Sequence, residues 1–418
     1  MSDEPRAARD GFALDDLRRS PNALAHCYTR FRVAERLLLT GHSHQAWPDA
    51  GFDGQLAAWI DAAEFVDDKW PRAEAQADRV RSGYARWLGA DAGAIARQIA
   101  LGASTHELVV RFLSALPLDR RPRLVTTDGE FHTLRRQLAR LGEAGLEVVR
   151  VAAADADTLA ERLAAEVDDR TAAVLVSAVL FETARIVPGL DALADACAAR
   201  GAEVLVDVYH AVGPRRVALG DLGLGAAWVV GGGYKYLQHG EGNCWLRLPP
   251  QAAEMRPAIT GWYAEFDALA AEHRAGDPVP YGALPARFAG STYDPTSHYR
   301  AVRVVRYFAE RGLTPTLLEA SYRHQVALLA AEVDALDLPP AVLTRDRSVP
   351  IGSLAGFLAL DSPVAGDLRA ALAARGVATD SRGRYLRLGP APYLSDAQLR
   401  EAVARLDSIA REFVPRLQ

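Results

Sequence analysis

Two stretches decide the fold: Val204-Leu205-Val206-Asp207-Val208-Tyr209-His210 and Trp228-Val229-Val230-Gly231-Gly232-Gly233-Tyr234-Lys235-Tyr236-Leu237. The first is a short apolar, β-branched run that delivers an Asp. The second runs into three glycines and delivers a Lys. Short continuous apolar runs that end in turn residues read as strands buried on both faces. In an open α/β sheet, chemistry gathers at the carboxyl ends of such strands. One strand end thus offers a carboxylate and another an amine, with His210 and Tyr234 beside them. Gly231, Gly232 and Gly233 predict a close backbone approach that leaves the lysine unhindered.

Working outward, Arg123–Thr127, Thr171–Val176 with Ser177 at its end, and Asn243–Leu248 also read as strands, and Asp191–Ala199 as a helix. Strand, helix and strand alternate in order through Val212, which predicts right-handed βαβ units and a mostly parallel sheet. Residues 51–95 carry apolar positions at helical spacing, broken at Asp67-Asp68-Lys69-Trp70-Pro71. From about residue 310 the pattern changes. A helix Pro315–Leu336 is followed by a strand Leu354–Leu360, a helix Val364–Arg375, strands Val377–Thr379 and Leu386–Leu388, and a closing helix Ser395–Arg411. The expected organisation is an N-terminal arm 1–50, with a short helix around Leu14–Leu24 and an extended piece Arg36–Thr40. A large α/β domain 51–310 and a small α+β domain 311–418 follow, the arm packing with the latter.

The chain has 418 residues, half of them hydrophobic, enough for a large core or for one large and one small domain. Its net charge of −5 is dispersed, and no basic block suggests nucleic acid. Cys27, Cys197 and Cys244 are scattered and odd in number, with neither metal spacing nor a disulfide framework. Met1-Ser2-Asp3-Glu4-Pro5-Arg6 lacks the pattern of a signal peptide, and no run of about 18 apolar residues suggests a membrane span. A cytoplasmic protein is expected.

The Asp and Lys on successive strand ends suit one cofactor. Pyridoxal 5'-phosphate (PLP) is held by a lysine Schiff base, with an acidic partner on its pyridine nitrogen. Such a cofactor also needs a phosphate site. In Ile99-Ala100-Leu101-Gly102-Ala103-Ser104-Thr105-His106 a small-residue turn with two hydroxyls opens a helix. Helix N-termini hold phosphate through unpaired N–H groups, and Ser104 or Thr105 can serve as cap and phosphate ligand together. His42 and His44 alone make a poor metal site.

At these residues the chain resembles kynureninase and its relatives, fold-type-I PLP enzymes near the class V aminotransferases. Asp207-Val208-Tyr209-His210-Ala211-Val212-Gly213 and Gly232-Gly233-Tyr234-Lys235-Tyr236-Leu237 match the D-x-x-H-A-x-G and G-Y-K-Y-L motifs. The resemblance implies a seven-stranded sheet between helices, Lys235 as the cofactor lysine and proton carrier, and Asp207 on the pyridine nitrogen. It implies His210 in support of Asp207 or the ring face, Tyr234 as phosphate ligand and proton donor, Ser104 and Thr105 at the phosphate, and Phe131 stacked on the ring. Gly261-Trp262-Tyr263 matches a segment whose Trp lies beside the phosphate. Phe288-Ala289-Gly290-Ser291-Thr292 matches one that reaches the phosphate from the neighbouring subunit, so Thr292 implies a homodimer with shared active sites, Trp262 standing beside the phosphate. Tyr385-Leu386-Arg387-Leu388-Gly389-Pro390 implies Arg387 as the clamp on a substrate α-carboxylate. The turn Gly41-His42-Ser43-His44 stands where the relatives have a substrate-side turn, which makes His42 and Ser43 substrate contacts. Three departures stand out: Leu134 in place of an Asp, the His42-Ser43-His44 turn itself, and Val66-Asp67-Asp68 where some kynureninases have a substrate-facing His.

The implied reaction is hydrolysis of the Cβ–Cγ bond of kynurenine or a related amino acid. The same site can transaminate, eliminate at Cβ or cleave C–S bonds, because the fold does not decide the reaction. A class V aminotransferase or a β-eliminating C–S lyase is therefore the alternative. A cysteine desulfurase is disfavoured, since no Cys follows Trp262 to accept sulfur. From a different class, an inactive PLP-fold binding protein is the remaining reading.

Overall fold

The structure, a computed structural model, describes residues 11–417 apart from 272, 273 and 275. The terminal Met1–Arg6 stretch and the start of the arm lie outside the described residues. The strands are β1 (Leu37–Leu38), β2 (Ile99–Gly102), β3 (Arg123–Thr127), β4 (Glu147–Val151), β5 (Thr171–Ser177), β6 (Glu203–Asp207), β7 (Trp228–Gly232) and β8 (Cys244–Arg247). They are followed by β9 (Leu358–Asp361), β10 (Val377–Ala378), β11 (Asp380–Arg382) and β12 (Tyr385–Leu388).

Seven strands form one sheet in the order β2-β8-β7-β6-β5-β3-β4. Its pairs are parallel except those of β8, which runs antiparallel to both β2 and β7. The mostly parallel α/β architecture expected from the strand–helix alternation is the one observed. Successive side chains of a strand face opposite sides, and here both sides are apolar. Val174, Val176, Val204, Val206 and Val229 belong to one buried cluster. Ala173, Leu175, Leu205, Trp228 and Val230 belong to another on the opposite side. Helices cover both faces, which is why the central strands read as unbroken apolar runs rather than as alternation. β2 and β4, the edges of the sheet, carry weaker signals, and neither was among the expected strands. β4 is only partly buried along its length.

A three-stranded antiparallel sheet, β11-β12-β9, lies in the C-terminal region. It packs with the helices Pro315–Asp334, Ala365–Ala374 and Asp396–Leu417. The N-terminal segment joins this region twice. β1 pairs in parallel with β10, and Leu17, Leu24, Tyr28 and Leu39 enter the same buried cluster as Leu318, Leu360, Leu386 and Phe413. Local differences from expectation have local causes. The first helix is only Leu14–Arg18, because Arg19 is extended and Pro21 follows. The strand expected over Leu354–Leu360 begins at Leu358, after a short 3-10 turn at Ile351–Ser353. β11 was not expected: Asp380-Ser381-Arg382 is polar, and it is a strand through its pairing with β12.

The close backbone approach expected at the three glycines is present, and it is made by the protein's own side chains. A Cβ on Gly231 would stand 2.7 Å from the Trp245 ring. One on Gly232 would overlap the Tyr209 hydroxyl, and one on Gly233 the Asn243 carboxamide and the Tyr84 hydroxyl. None of the three has a positive φ. They admit rings and a carboxamide packed against the chain just before Lys235. Gly232→Ala is expected to destabilise the protein by about 1–3 kcal/mol through overpacking, read as a lowered urea midpoint at unchanged slope.

Candidate functional site around Lys235

β6 and β7 are parallel neighbours, with Asp207 opposite Val230. Their carboxyl ends therefore open on the same edge of the sheet. Lys235 follows β7 by three residues and is only 7% exposed. Its Nζ lies 2.8 Å from His210 Nε2. Three ring centroids surround it, Tyr209 at 4.7 Å, Phe131 at 5.4 Å and Tyr234 at 5.7 Å. An ammonium gains from ring faces but loses its water. Burial dominates and pushes the Lys235 amine down to about 8, although the Asp207 carboxylate pulls the other way. Burial pushes Asp207 upward in turn, opposed by the Tyr209 N–H, which donates to Oδ1 at 2.8 Å, and by Lys235. His210 is held well below its ordinary value by burial and by the neighbouring Lys235 charge. A neutral His210 accepts from Lys235 at Nε2, which leaves its proton on Nδ1, 3.5 Å from the Tyr236 hydroxyl.

A second buried acid lies nearby, which the sequence reading passed over as part of a loop. Glu130 accepts from Thr127 Oγ1 at 2.7 Å, from Ser177 Oγ at 2.6 Å and from the Ser177 N–H at 3.1 Å. Burial raises its carboxyl to about 7 against those hydrogen bonds. It ties the end of β3 to the end of β5 directly before Phe131. Its sequence signal is an acid between a glycine and an aromatic just past a strand. Leu134, where the relatives were expected to carry an acid, is instead a core residue at 5% exposure.

The opposite side of the site comes from the C-terminal sheet and the N-terminal segment. Arg387 on β12 is 3% exposed. Its Nη1 donates to the Phe181 carbonyl, and its Nη2 is ion-paired with Asp380. Its guanidinium carbon lies 5.5 Å from the Phe357 ring centroid. His42 is fully buried and stacks on Phe357, with ring centroids 4.5 Å apart. Burial lowers its imidazole to about 4. Ser43 Oγ lies 3.2 Å from His44 Nδ1, and His44 stacks on Tyr234 at 5.2 Å. The turn at 41–44 thus reaches the site, with His44 rather than Ser43 against Tyr234. Phe357 and Asp380 are site neighbours that the sequence reading did not single out, and His44, considered there with His42, is in the site through its ring. Phe357 sits in an ordinary apolar run, and only the packing shows that it touches both His42 and His210.

Ser104 caps the helix Thr105–Ala115, accepting from the Glu107 N–H at 3.3 Å. Thr105 Oγ1 donates to Cys244 Sγ at 3.7 Å. Trp262 stands apart. Its side chain is 40% exposed and stacks on Tyr263, with ring centroids 4.3 Å apart. Thr292 is also exposed and lines a cavity of about 1040 Å3 together with Gly102, Ala103, Glu107 and Arg111. Among the described residues no group of three or more His, Cys, Asp or Glu side chains is placed to hold a metal ion. Among them, too, no helix is long and apolar enough to cross a membrane.

The depressed lysine has a measurable signature in the cofactor-free protein. Unfolded, the amine binds a proton up to about pH 10.5, whereas folded it releases it near 8. Between these values the unfolded chain holds more protons, so this residue's contribution to stability rises with pH across that window. Lys235→Met is expected to be more stable than wild type at pH 7 by on the order of 3 kcal/mol, the gap closing by about pH 10.5. Urea unfolding at the two pH values checks it.

No protein-family model and no curated protein sequence matches this chain. Solved structures do. A C-DES mutant with glycine covalently linked to its PLP cofactor aligns at a TM-score of 0.78, with 15% identity, over 91% of this chain and 98% of that one. The apo cysteine desulfurase of Thermococcus onnurineus NA1 aligns at 0.75, with 16% identity, over 94% and 99%. The cysteine desulfurase CsdA of Escherichia coli aligns at 0.75, with 16% identity, over 96% and 100%. At these identities the likeness is one of fold, and it spans nearly the whole of each chain: this protein has the fold-type-I architecture of those enzymes.

Proposed function

We propose that this protein is a PLP-dependent enzyme acting on an amino acid at Cβ. The observation that carries the reading is the buried amine of Lys235, boxed by Tyr209, Phe131 and Tyr234 and held at 2.8 Å by His210, beside the Asp207 strand end. Those residues fit the group. Lys235 would hold its aldehyde carbon, Asp207 its pyridine nitrogen, Phe131 and His210 its ring, and Ser104, Thr105 and the helix start behind them its phosphate. Bound there, PLP supplies an electron-accepting ring that eases loss of a proton from the substrate Cα.

The chain's own residues do the rest. Asp207, whose carboxylate accepts only the Tyr209 N–H among the described residues, would keep the pyridine nitrogen protonated. Lys235, poised at about 8, takes a proton from Cα and returns one, the range in which an amine can do both near neutral pH. Tyr234, whose phenol burial pushes upward, remains a proton donor through that range. Arg387 receives the α-carboxylate. The buried ring of Phe357 and the half-buried rings of Phe131 and Tyr234 restrict water around the reacting atoms. Trp262 and Thr292, exposed in one protomer, would complete the phosphate end across a homodimer.

The leaving group at Cβ divides the finer readings. Cleavage of a C–S bond is favoured by the fold neighbours, which include a cystine C–S lyase in complex with cysteine persulfide. Sulfur relay through a protein cysteine is not favoured. Cys197 and Cys244 are buried, and Cys27 is half-buried against the core shared by the N-terminal and C-terminal segments, its Sγ 3.3 Å from His26 Nε2. Hydrolysis of a Cβ–Cγ bond, kynureninase-like, is the second reading, carried by the Gly232–Leu237 motif.

Purified protein loaded with PLP should show an absorbance band near about 420 nm that Lys235→Ala abolishes. The same variant should lose about 10²–10⁴-fold in turnover. Incubation with L-cystine should release pyruvate and ammonia if C–S cleavage is correct. Anthranilate and alanine from kynurenine would favour the second reading, and amino-group exchange with a keto acid would replace both by transamination. Protein that takes up no PLP would sink the proposal.

A further inference from the structure

Asp380 and Arg387 face each other as register partners in the β11–β12 ladder. Their side chains form an ion pair, and both are largely buried, Arg387 at 4% and Asp380 at 15% side-chain exposure. Asp380 is itself tied down. Its Oδ1 accepts from the Ser381 N–H at 2.7 Å and from Arg382 Nη1 at 3.3 Å. His42 Nε2 stands 3.6 Å from Oδ2. Burial alone would raise the Asp380 carboxyl, but His42 and Arg387 beside it reverse that and hold it well below the usual carboxylate range, so it is charged. Arg387 has donors left over, because its Nε is buried with no hydrogen-bond partner among the described residues. A buried guanidinium with unused donors is costly unless an anion comes to it. The two arginines and one aspartate sum to a single positive charge, which matches one incoming carboxylate.

We propose that Asp380 is the positioning residue of the carboxylate-binding end: it holds the Arg387 guanidinium by one Nη from across the ladder, so that the remaining donors, Nε included, meet the carboxylate of an amino-acid substrate. This rests on the function proposed above. A strand-to-strand pair is a better brace than a loop contact, because both backbones are fixed by the same ladder. Arg387 is then aimed before the substrate arrives, and its orientation is not settled at the substrate's expense.

The test uses PLP-loaded protein and two probes that differ only in the group of interest, L-alanine and ethylamine. Both perturb the band near about 420 nm on binding, and the ratio of their apparent Kd values isolates the carboxylate contribution. Asp380→Asn is expected to weaken L-alanine by about tenfold while ethylamine changes by less than about twofold. Arg387→Gln should remove the same preference, and Asp380→Asn should add nothing to it. An unchanged ratio overturns the proposal. So does a tighter grip on L-alanine, which would make Asp380 a competitor for Arg387. If Asp380→Asn does not fold, Asp380→Glu replaces it. That variant keeps the charge but moves the carboxylate by one methylene, and the ratio should fall by at least about threefold. A wild-type protein with no such band overturns the proposed function and this inference with it. A normal band with an unaffected ratio overturns this inference alone.

Discussion

A lysine amine removed from water and surrounded by three aromatic rings is the constraint on which the rest of this structure depends. Such a group is costly to bury as a cation. The fold lowers the cost with a neutral imidazole at 2.8 Å and a carboxylate on the neighbouring strand end. Neither partner neutralises it outright, and burial wins, so the amine is left easy to deprotonate. That balance needs a rigid frame. The parallel pairing of β6 with β7, covered by apolar clusters on both faces, supplies it. Were β7 to slip by one residue, every side chain on it would change face and Trp228 would exchange places with Val229.

The site is closed by chain segments that are far apart in sequence. β12 brings Arg387, β11 brings Asp380, and the turn at 41–44 brings His42 and His44. That turn is held in place because β1 pairs with β10 and Thr40 bridges to Gly389. Packing there is tight: a Cβ on Gly389 would overlap the His42 ring. Phe357 then serves as a common wall, touching His42, His210 and the Arg387 guanidinium. Electrostatics couples the same segments, since Arg387 and Arg382 both depress Lys235 while Asp207 acts the other way. Charge at Arg387 and Arg382 and proton affinity at Lys235 are therefore linked.

What could be read from the residues follows their local periodicity. The central strands declared themselves because burial on both faces writes continuous apolar runs such as Val204–Val206 and Trp228–Val230. Edge strands such as β4, and the polar β11, did not, because their strand character comes from the neighbour they pair with. The glycines before Lys235 were visible, yet their reason was not. It lies in Trp245, Tyr209 and Asn243, residues 10 to 23 positions away in the chain that approach these glycines in space.

The sequence by itself determined which chemical groups stand at strand ends: Asp207, Lys235 and the Ser104 cap each sit next to a local signal of strand or helix, and local signals are set by nearest neighbours along the chain. Only the tertiary structure decided who touches whom. That His210 takes the lysine proton's hydrogen bond, that Glu130 is a second buried acid, and that Arg387 is already paired with Asp380 are consequences of burial and of cross-strand register. Both quantities depend on residues brought together by folding, and neither has a period that a single chain can display.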